Sequence, residues 1–97
     1  MQINFYATFR VQAGVKSIEM DLLPETTMLQ AVKAIIEKFP ALASIWMDES
    51  GEIQNYVYGF INGQDVATLP EAWETKLKTG DVLDFLPPVA GGKDQLA

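Results

Sequence analysis

One amphipathic helix pattern, with strand patterns before and after it, limits the folds open to this chain more than any other feature. Thr27 and Gln30 have the spacing of a capping box, and apolar residues then recur along one helix face until Pro40. These apolar positions are Leu29, Val32, Ile36 and Phe39, with Ala31 and Ile35 widening the face. The pattern predicts a helix over Met28–Lys38 that ends because proline disfavours helical geometry in the residue before it. Such a helix must pack on a second layer of structure.

The strand patterns on either side supply that layer. Before the helix, apolar and polar residues alternate in two segments that we expect to pair as a hairpin. After it, a β-rich segment leads into Asn62-Gly63, which is typical of a tight hairpin turn, and 69–77 has room for a turn or two of helix. The predicted strands are 3–11, 17–22, 56–61, 64–66 and 82–86. The order predicts an α+β fold, with a mixed sheet and one main helix packed across one face.

The irregular segment 41–55 holds three large apolar residues, Ile45, Trp46 and Met47. They either fill the end of the core between sheet and helix or form a partner surface. Because large apolar residues are usually buried, we interpret them as core.

Length and charge restrict the class of protein further. With 97 residues, the chain is expected to form a single domain over residues 1–90, followed by a C-terminal tail over 91–97. There is neither an apolar run of the roughly 20 residues that a membrane span needs nor a signal-peptide pattern, so we expect a cytoplasmic protein without a membrane partner. A net charge of −6 opposes binding to nucleic acid and to anionic lipid.

The chain has no His and no Cys, which removes most catalytic arrangements. An imidazole base, a thiolate nucleophile and a His/Cys metal site are all excluded. The carboxylates show no spacing that suggests a paired acid and base. We therefore expect neither a stand-alone catalyst nor a metal site.

The tail is the clearest functional feature. Gly91 and Gly92 follow the last predicted strand and the pair Pro87-Pro88. Proline cannot donate to a strand ladder, so the pair is expected to end the strand and to project the tail outward. Two glycines give the slimmest peptide that a chain can present to a narrow channel.

These segments together resemble the ubiquitin-like sulfur carriers, which have a β-grasp fold. The similarity lies in the element order, the 60–66 hairpin (FINGQDV), the 77–82 turn (LKTGDV) and the segment 85–92 (FLPPVAGG). The small subunit of molybdopterin synthase is the most similar type, and the thiamine and cysteine biosynthesis carriers are relatives. The resemblance covers residues 1–92.

The resemblance implies that Gly92, preceded by Gly91, carries the chemistry. In these families an E1-like enzyme adenylates the terminal carboxylate with ATP and Mg²⁺, and sulfur then displaces AMP to give a thiocarboxylate. The carrier itself binds no cofactor. The implied acceptor is the large molybdopterin synthase subunit, or another sulfur acceptor enzyme in a pathway to cysteine or a different sulfur metabolite.

The residues around the tail are the expected partner contacts, namely Phe85, Pro87, Pro88, Val89 and Ala90. Phe85 has two interpretations, because alternation along the last strand would bury either Leu83 and Phe85 or Val82, Asp84 and Leu86. Val89, beyond the strand, is a candidate docking residue.

Residues 93–97 depart from the family pattern, because an amide bond to Lys93 leaves Gly92 without a free carboxylate. We expect a processing peptidase to cut after Gly92. Two further hypotheses remain open: a ubiquitin-like protein modifier that forms isopeptide bonds, and a non-covalent interaction module that never exposes Gly92.

Overall fold

A computed structural model describes residues 1–88 and contains a five-stranded sheet in the order β2-β1-β5-β3-β4. The first and last strands pair in parallel at its centre, and the other pairs are antiparallel. The strands are β1 (Gln2–Phe5), β2 (Ser17–Glu19), β3 (Tyr58–Ile61), β4 (Gln64–Asp65) and β5 (Val82–Leu86). The predicted α+β fold with a mixed sheet is confirmed.

The main helix has the predicted bounds. Counting the helices in chain order, it is α2 (Met28–Lys38) and follows α1 (Ala7–Ala13). The capping box is present: the Gln30 backbone N–H donates to Thr27 Oγ1 at 3.1 Å, and the Thr27 N–H donates to Gln30 Oε1 at 3.0 Å. The fully buried face of α2 consists of Met28, Ala31, Val32 and Ile35. It is rotated slightly from the predicted face, since Leu29, Ile36 and Phe39 are only partly buried.

The prediction of one long strand over 3–11 was wrong. The strand β1 ends at Phe5, and α1 begins two residues later at Ala7, where a positive φ of 54° turns the chain. Phe9 is buried, whereas Val11, which the strand pattern placed on the same face, is 75% exposed. Gly14 ends the helix in the left-handed conformation, and its N–H donates to the Arg10 carbonyl. The predicted pairing of the first two strands is nevertheless confirmed, with Ile3 opposite Ile18.

The interpretation of Trp46 as a core residue is confirmed. Trp46 lies at the end of α3 (Ala43–Trp46), which follows a 3₁₀ turn over Pro40–Leu42. Its ring is fully buried and stacks on Phe85, with 4.7 Å between the ring centroids. Phe9 meets the same indole edge-on at 5.4 Å. The helix α1 thus closes one end of the core through an aromatic cluster.

The Asn62-Gly63 hairpin is also confirmed. Both residues have positive φ, 51° and 84°, as a two-residue type I′ turn requires. The strand before the turn is shorter than predicted and begins at Tyr58. The helical content predicted for 69–77 is one 3₁₀ turn over Ala72–Glu74, and another 3₁₀ turn over Val66–Thr68 directly follows β4.

Candidate functional site

The last described strand, which precedes the predicted tail, lies in the middle of the sheet. The last strand, β5, is hydrogen-bonded to β1 on one side and to β3 on the other, so its final residue, Leu86, is flanked on both sides. Pro87 is half-buried and Pro88 is exposed, directly after the strand. Val89, Ala90, Gly91 and Gly92 lie outside the described residues, and what we expect of them stays a prediction.

A buried polar contact fixes the start of this strand. The Asp81 carboxylate accepts from the Lys78 backbone N–H at 2.8 Å and from Asn62 Nδ2 at 2.9 Å. Asn62 also accepts from the Val82 N–H through its side-chain oxygen, at 2.9 Å. The β3–β4 turn and the beginning of β5 are therefore held together.

Phe85 belongs to the core, which corrects its expected role as a partner contact. Its ring is 0% exposed, and alternation along β5 places it with Leu83 against the α2 side of the sheet. Val82, Asp84 and Leu86 therefore point to the opposite face. Burial leaves Phe85 no surface for a partner, and its contribution to the site is to hold β5 in place.

The face opposite α2 carries a cluster next to the tail exit that the sequence reasoning missed. We call this side of the sheet the open face. Tyr58 pairs with Leu86 across β3 and β5. Tyr6 lies on the other side of Leu86, because the Tyr6 N–H donates to the Phe85 carbonyl and continues the β1–β5 ladder. The two tyrosines are 39% and 37% exposed, and between them Leu86 is only 8% exposed. Tyr6, Leu86 and Tyr58 form an apolar row at the tail exit, called the exit row below.

The next row of this face, two residues before Leu86 along β5, has Asp84 at its centre. Asp84 lies between Asn4 of β1 and Phe60 of β3. Asp84 Oδ1 accepts from Asn4 Nδ2 at 2.7 Å and, more weakly, from the Tyr6 hydroxyl at 3.4 Å. Burial and, next, the nearby Asp84 carboxylate raise the pKa of Tyr6, and Arg10 partly opposes them. In the sequence, the alternation along β5 groups Asp84 with Val82 and Leu86 on one face of the sheet. Which residues of β1 and β3 lie beside Asp84 follows only from the strand register.

Residues 1–88 place no group of three or more Asp and Glu side chains where they could hold a metal ion. None of the helices in this part of the chain is long and apolar enough to cross a membrane.

Comparisons with known proteins agree with this geometry. The sequence pattern of the ThiS family matches residues 3–92, so the match ends at Gly92. Small archaeal modifier protein 3 of Haloferax volcanii is 33% identical over 92 residues, which cover 95% of this chain and 98% of the relative.

Solved structures agree as well. The crystal structure of SAMP1 from Haloferax volcanii superposes with a TM-score of 0.83 at 26% identity and covers 94% of this chain and 97% of that one. A putative molybdopterin converting factor subunit 1 from Pyrococcus furiosus superposes with a TM-score of 0.70 at 26% identity, with coverages of 91% and 95%. The chain belongs to the ThiS family of ubiquitin-like sulfur carriers and has their β-grasp fold.

Proposed function

We propose that this chain is a sulfur carrier whose working group is the carboxylate of Gly92. The observation that carries the proposal is the position of β5: this central strand, fixed at its start by Asp81 and Asn62, ends at Leu86, six residues before Gly92 in the sequence. The family match that ends at Gly92 supports the same terminus.

The proposed chemistry has three steps. Hydrolysis of the Gly92–Lys93 amide by a peptidase gives a free carboxylate and releases residues 93–97. An E1-like enzyme then uses ATP and Mg²⁺ to form the acyl adenylate, with release of pyrophosphate. A sulfide-level sulfur nucleophile attacks the acyl carbon, AMP leaves, and Gly92 becomes a thiocarboxylate. Because the reaction consumes ATP, we place it in the cytoplasm.

Intact mass spectrometry of the protein from its native cell tests these steps. The expected species ends at Gly92, and part of it carries the mass change of one oxygen replaced by sulfur. Treatment with a thiol-alkylating reagent should label that fraction at the C-terminus. Finding only the chain that still carries residues 93–97 would refute the proposal.

We assign the sulfur to molybdopterin synthesis, with the large synthase subunit as acceptor. There it would convert a cyclic pyranopterin precursor to the dithiolene. The likeness to the putative molybdopterin converting factor subunit supports this assignment. Thiocarboxylated 1–92, the large subunit and the precursor should together yield molybdopterin, whereas unmodified 1–92 should not. If this reaction fails and the sulfur passes to another acceptor enzyme, the result would favour a carrier in the synthesis of cysteine or a different sulfur metabolite.

A second function, protein modification, is favoured by the 33% identical relative, whose name is that of a modifier protein. The same activated Gly92 would then form an isopeptide bond with a lysine of a target protein. Denaturing blots of the native cell should show conjugates of higher mass that disappear when Gly91 and Gly92 are deleted. Their absence, with the thiocarboxylate present, leaves sulfur transfer as the sole fate.

The two tyrosines of the exit row and the residues after Leu86 are the proposed partner contacts, namely Tyr6, Tyr58, Pro87, Pro88, Val89 and Ala90. An apolar centre next to the reactive tail is the composition expected of a docking surface core. Val89→Asp should weaken binding of the partner in a pull-down. Undiminished binding would remove Val89 from the docking surface.

A further inference from the structure

Asp84 places a carboxylate in the middle of the open face, immediately behind the exit row. Its strand neighbours are Asn4 and Phe60, and Leu86 lies two positions further along the same face. A partner that covers the exit row while it holds the tail therefore also covers Asp84. The charge of Asp84 must then be accommodated within the contact.

The carboxylate is already oriented before any partner arrives. Gln2 Nε2 donates to Asn4 Oδ1 at 2.9 Å, which turns the Asn4 amide so that its Nδ2 donates to Asp84 Oδ1 at 2.7 Å. The Tyr6 hydroxyl approaches the same oxygen at 3.4 Å. Both donors thus fix Oδ1.

Within residues 1–88 the other oxygen, Oδ2, accepts no side-chain or backbone hydrogen bond, and no cation lies within 4.0 Å of the carboxylate. Two basic residues, Arg10 and Lys16, line a cavity beside Asn4 and Tyr6, and Arg10 is engaged elsewhere. Its Nε donates to the Phe5 carbonyl at 3.1 Å, and its guanidinium stands 5.8 Å from the centre of the Tyr6 ring. Within residues 1–88, one acceptor oxygen of a carboxylate held through its other oxygen therefore has no hydrogen-bond donor or cation.

Covering such a group has a large energetic consequence. A carboxylate that loses water without gaining a cation or a donor opposes binding strongly, whereas a paired one does not. Aromatic side chains on both sides lower the local access of water, which strengthens a pair that does form. An apolar row alone would accept many apolar surfaces, whereas a charged group beside it favours partners of the opposite charge.

We propose that Asp84 selects the adenylating enzyme by accepting an arginine or lysine side chain of that enzyme on Oδ2, within the apolar contact made by the exit row. This inference rests on the proposed function, because activation of Gly92 precedes each of its fates. Asn4 and Tyr6 act as positioning residues that hold the carboxylate for the incoming cation. The complementary enzyme surface is apolar with one basic side chain.

The test uses residues 1–92, which keep every described element and end at the proposed terminus. ATP–pyrophosphate exchange is measured with the E1-like adenylating enzyme of the same organism. Asp84→Asn keeps the size of the side chain and an acceptor for Asn4 but removes the charge. We expect its KM to rise at least tenfold with kcat unchanged, because the pair contributes to docking and not to the chemistry of Gly92. Raising the salt concentration should raise the KM of the wild-type chain more than that of Asp84→Asn.

Glu37→Gln on the exposed side of α2 is the matched control, since it removes the same charge from the far side of the sheet. Its KM should stay within twofold of the wild-type value. Asp84→Thr, with a side chain suited to strands, replaces Asp84→Asn if thermal unfolding shows that the asparagine variant does not fold.

The outcomes separate the two proposals. No exchange with the wild-type 1–92 chain refutes the proposed function and this inference with it. Exchange with equal KM values for the wild type and the Asp84 variant overturns the inference alone. Equal losses in the Asp84 and Glu37 variants also overturn it, because net charge and not a specific pair would then govern docking.

Discussion

At the scale of single residues, Thr75 stands out because its hydroxyl is buried without a partner. Thr75 Oγ1 and Trp46 Nε1 are the side-chain polar atoms in residues 1–88 that have lost water and gained no hydrogen bond. Such a group costs about 1–3 kcal/mol relative to an apolar group of the same shape.

Thr75→Val should therefore raise the free energy of unfolding by about 1 kcal/mol. Valine has nearly the same shape and suits the extended backbone of Thr75, whose ψ is 130°. Urea unfolding measures the change. Thr26→Val is the matched control, because Thr26 Oγ1 donates to the Leu23 carbonyl at 2.6 Å and its loss should lower stability. Equal effects of the two substitutions would contradict the explanation.

Tyr6 gives a prediction about pH. Its pKa is raised mainly by burial and then by Asp84, so the folded protein keeps the phenolic proton above the usual pKa of about 10. This contribution to stability is fully present below about pH 10 and is lost as the pH rises through the folded-state pKa. Ultraviolet absorbance is recorded against pH for the wild type and for Tyr6→Phe. The difference between the two titrations should show one tyrosine whose pKa lies above the usual value. Asp84→Asn should lower the pKa of Tyr6 but leave it above the usual value, because burial still raises it. An unchanged Tyr6 pKa would show that Asp84 has no effect.

At the scale of elements, β3 depends on Gly59 for its packing against the segment 72–74. A Cβ at Gly59 would lie 2.8 Å from Cη2 and 3.0 Å from Cζ3 of Trp73, and 3.2 Å from Cε of Met28. Gly59 pairs with Phe85 of β5. Because Gly59 has no side chain, the Trp73 indole can lie directly on the strand at this position.

Gly59→Ala is expected to lower the free energy of unfolding by about 1–3 kcal/mol, because Trp73 must move to relieve the overlap. The measurement is a double-mutant cycle with Trp73→Leu, which opens the space above the strand. In the Trp73→Leu background, Gly59→Ala should lower the free energy of unfolding by much less. Additive effects would show that the indole is not what excludes the methyl group.

The elements also show why part of the fold was predictable from the sequence. The bounds of α2 are encoded locally by Thr27, Gln30 and Pro40, and no distant contact alters them. The segment 3–11 was ambiguous because Phe5 and Phe9, four positions apart, satisfy both the strand and the helix period. The deciding signal was Gly14 as a helix cap. The prolines after β5 were identified from the sequence, whereas the exit row was not, because only the register brings Tyr6 and Tyr58 to Leu86.

At the scale of the whole molecule, every described core contact is made by residues up to Leu86. A chain that ends at Ala90 should therefore unfold with a free energy within about 0.5 kcal/mol of that of the 97-residue chain. Denaturant unfolding of both chains measures the difference. The result also tests the predicted division into a domain over 1–90 and a tail over 91–97, and a clearly lower stability of the short chain would contradict that division.

The parallel pairing of β1 with β5 joins residues that lie 80 positions apart, such as Asn4 and Asp84. Pairing over such a separation is slow and cannot begin until both strands exist. During synthesis the first strand therefore stays unpaired on its β5 side until residues 82–86 have been made. Under the proposed function, an adenylating enzyme that recognises the open face would therefore act only on chains in which β1 and β5 have already paired.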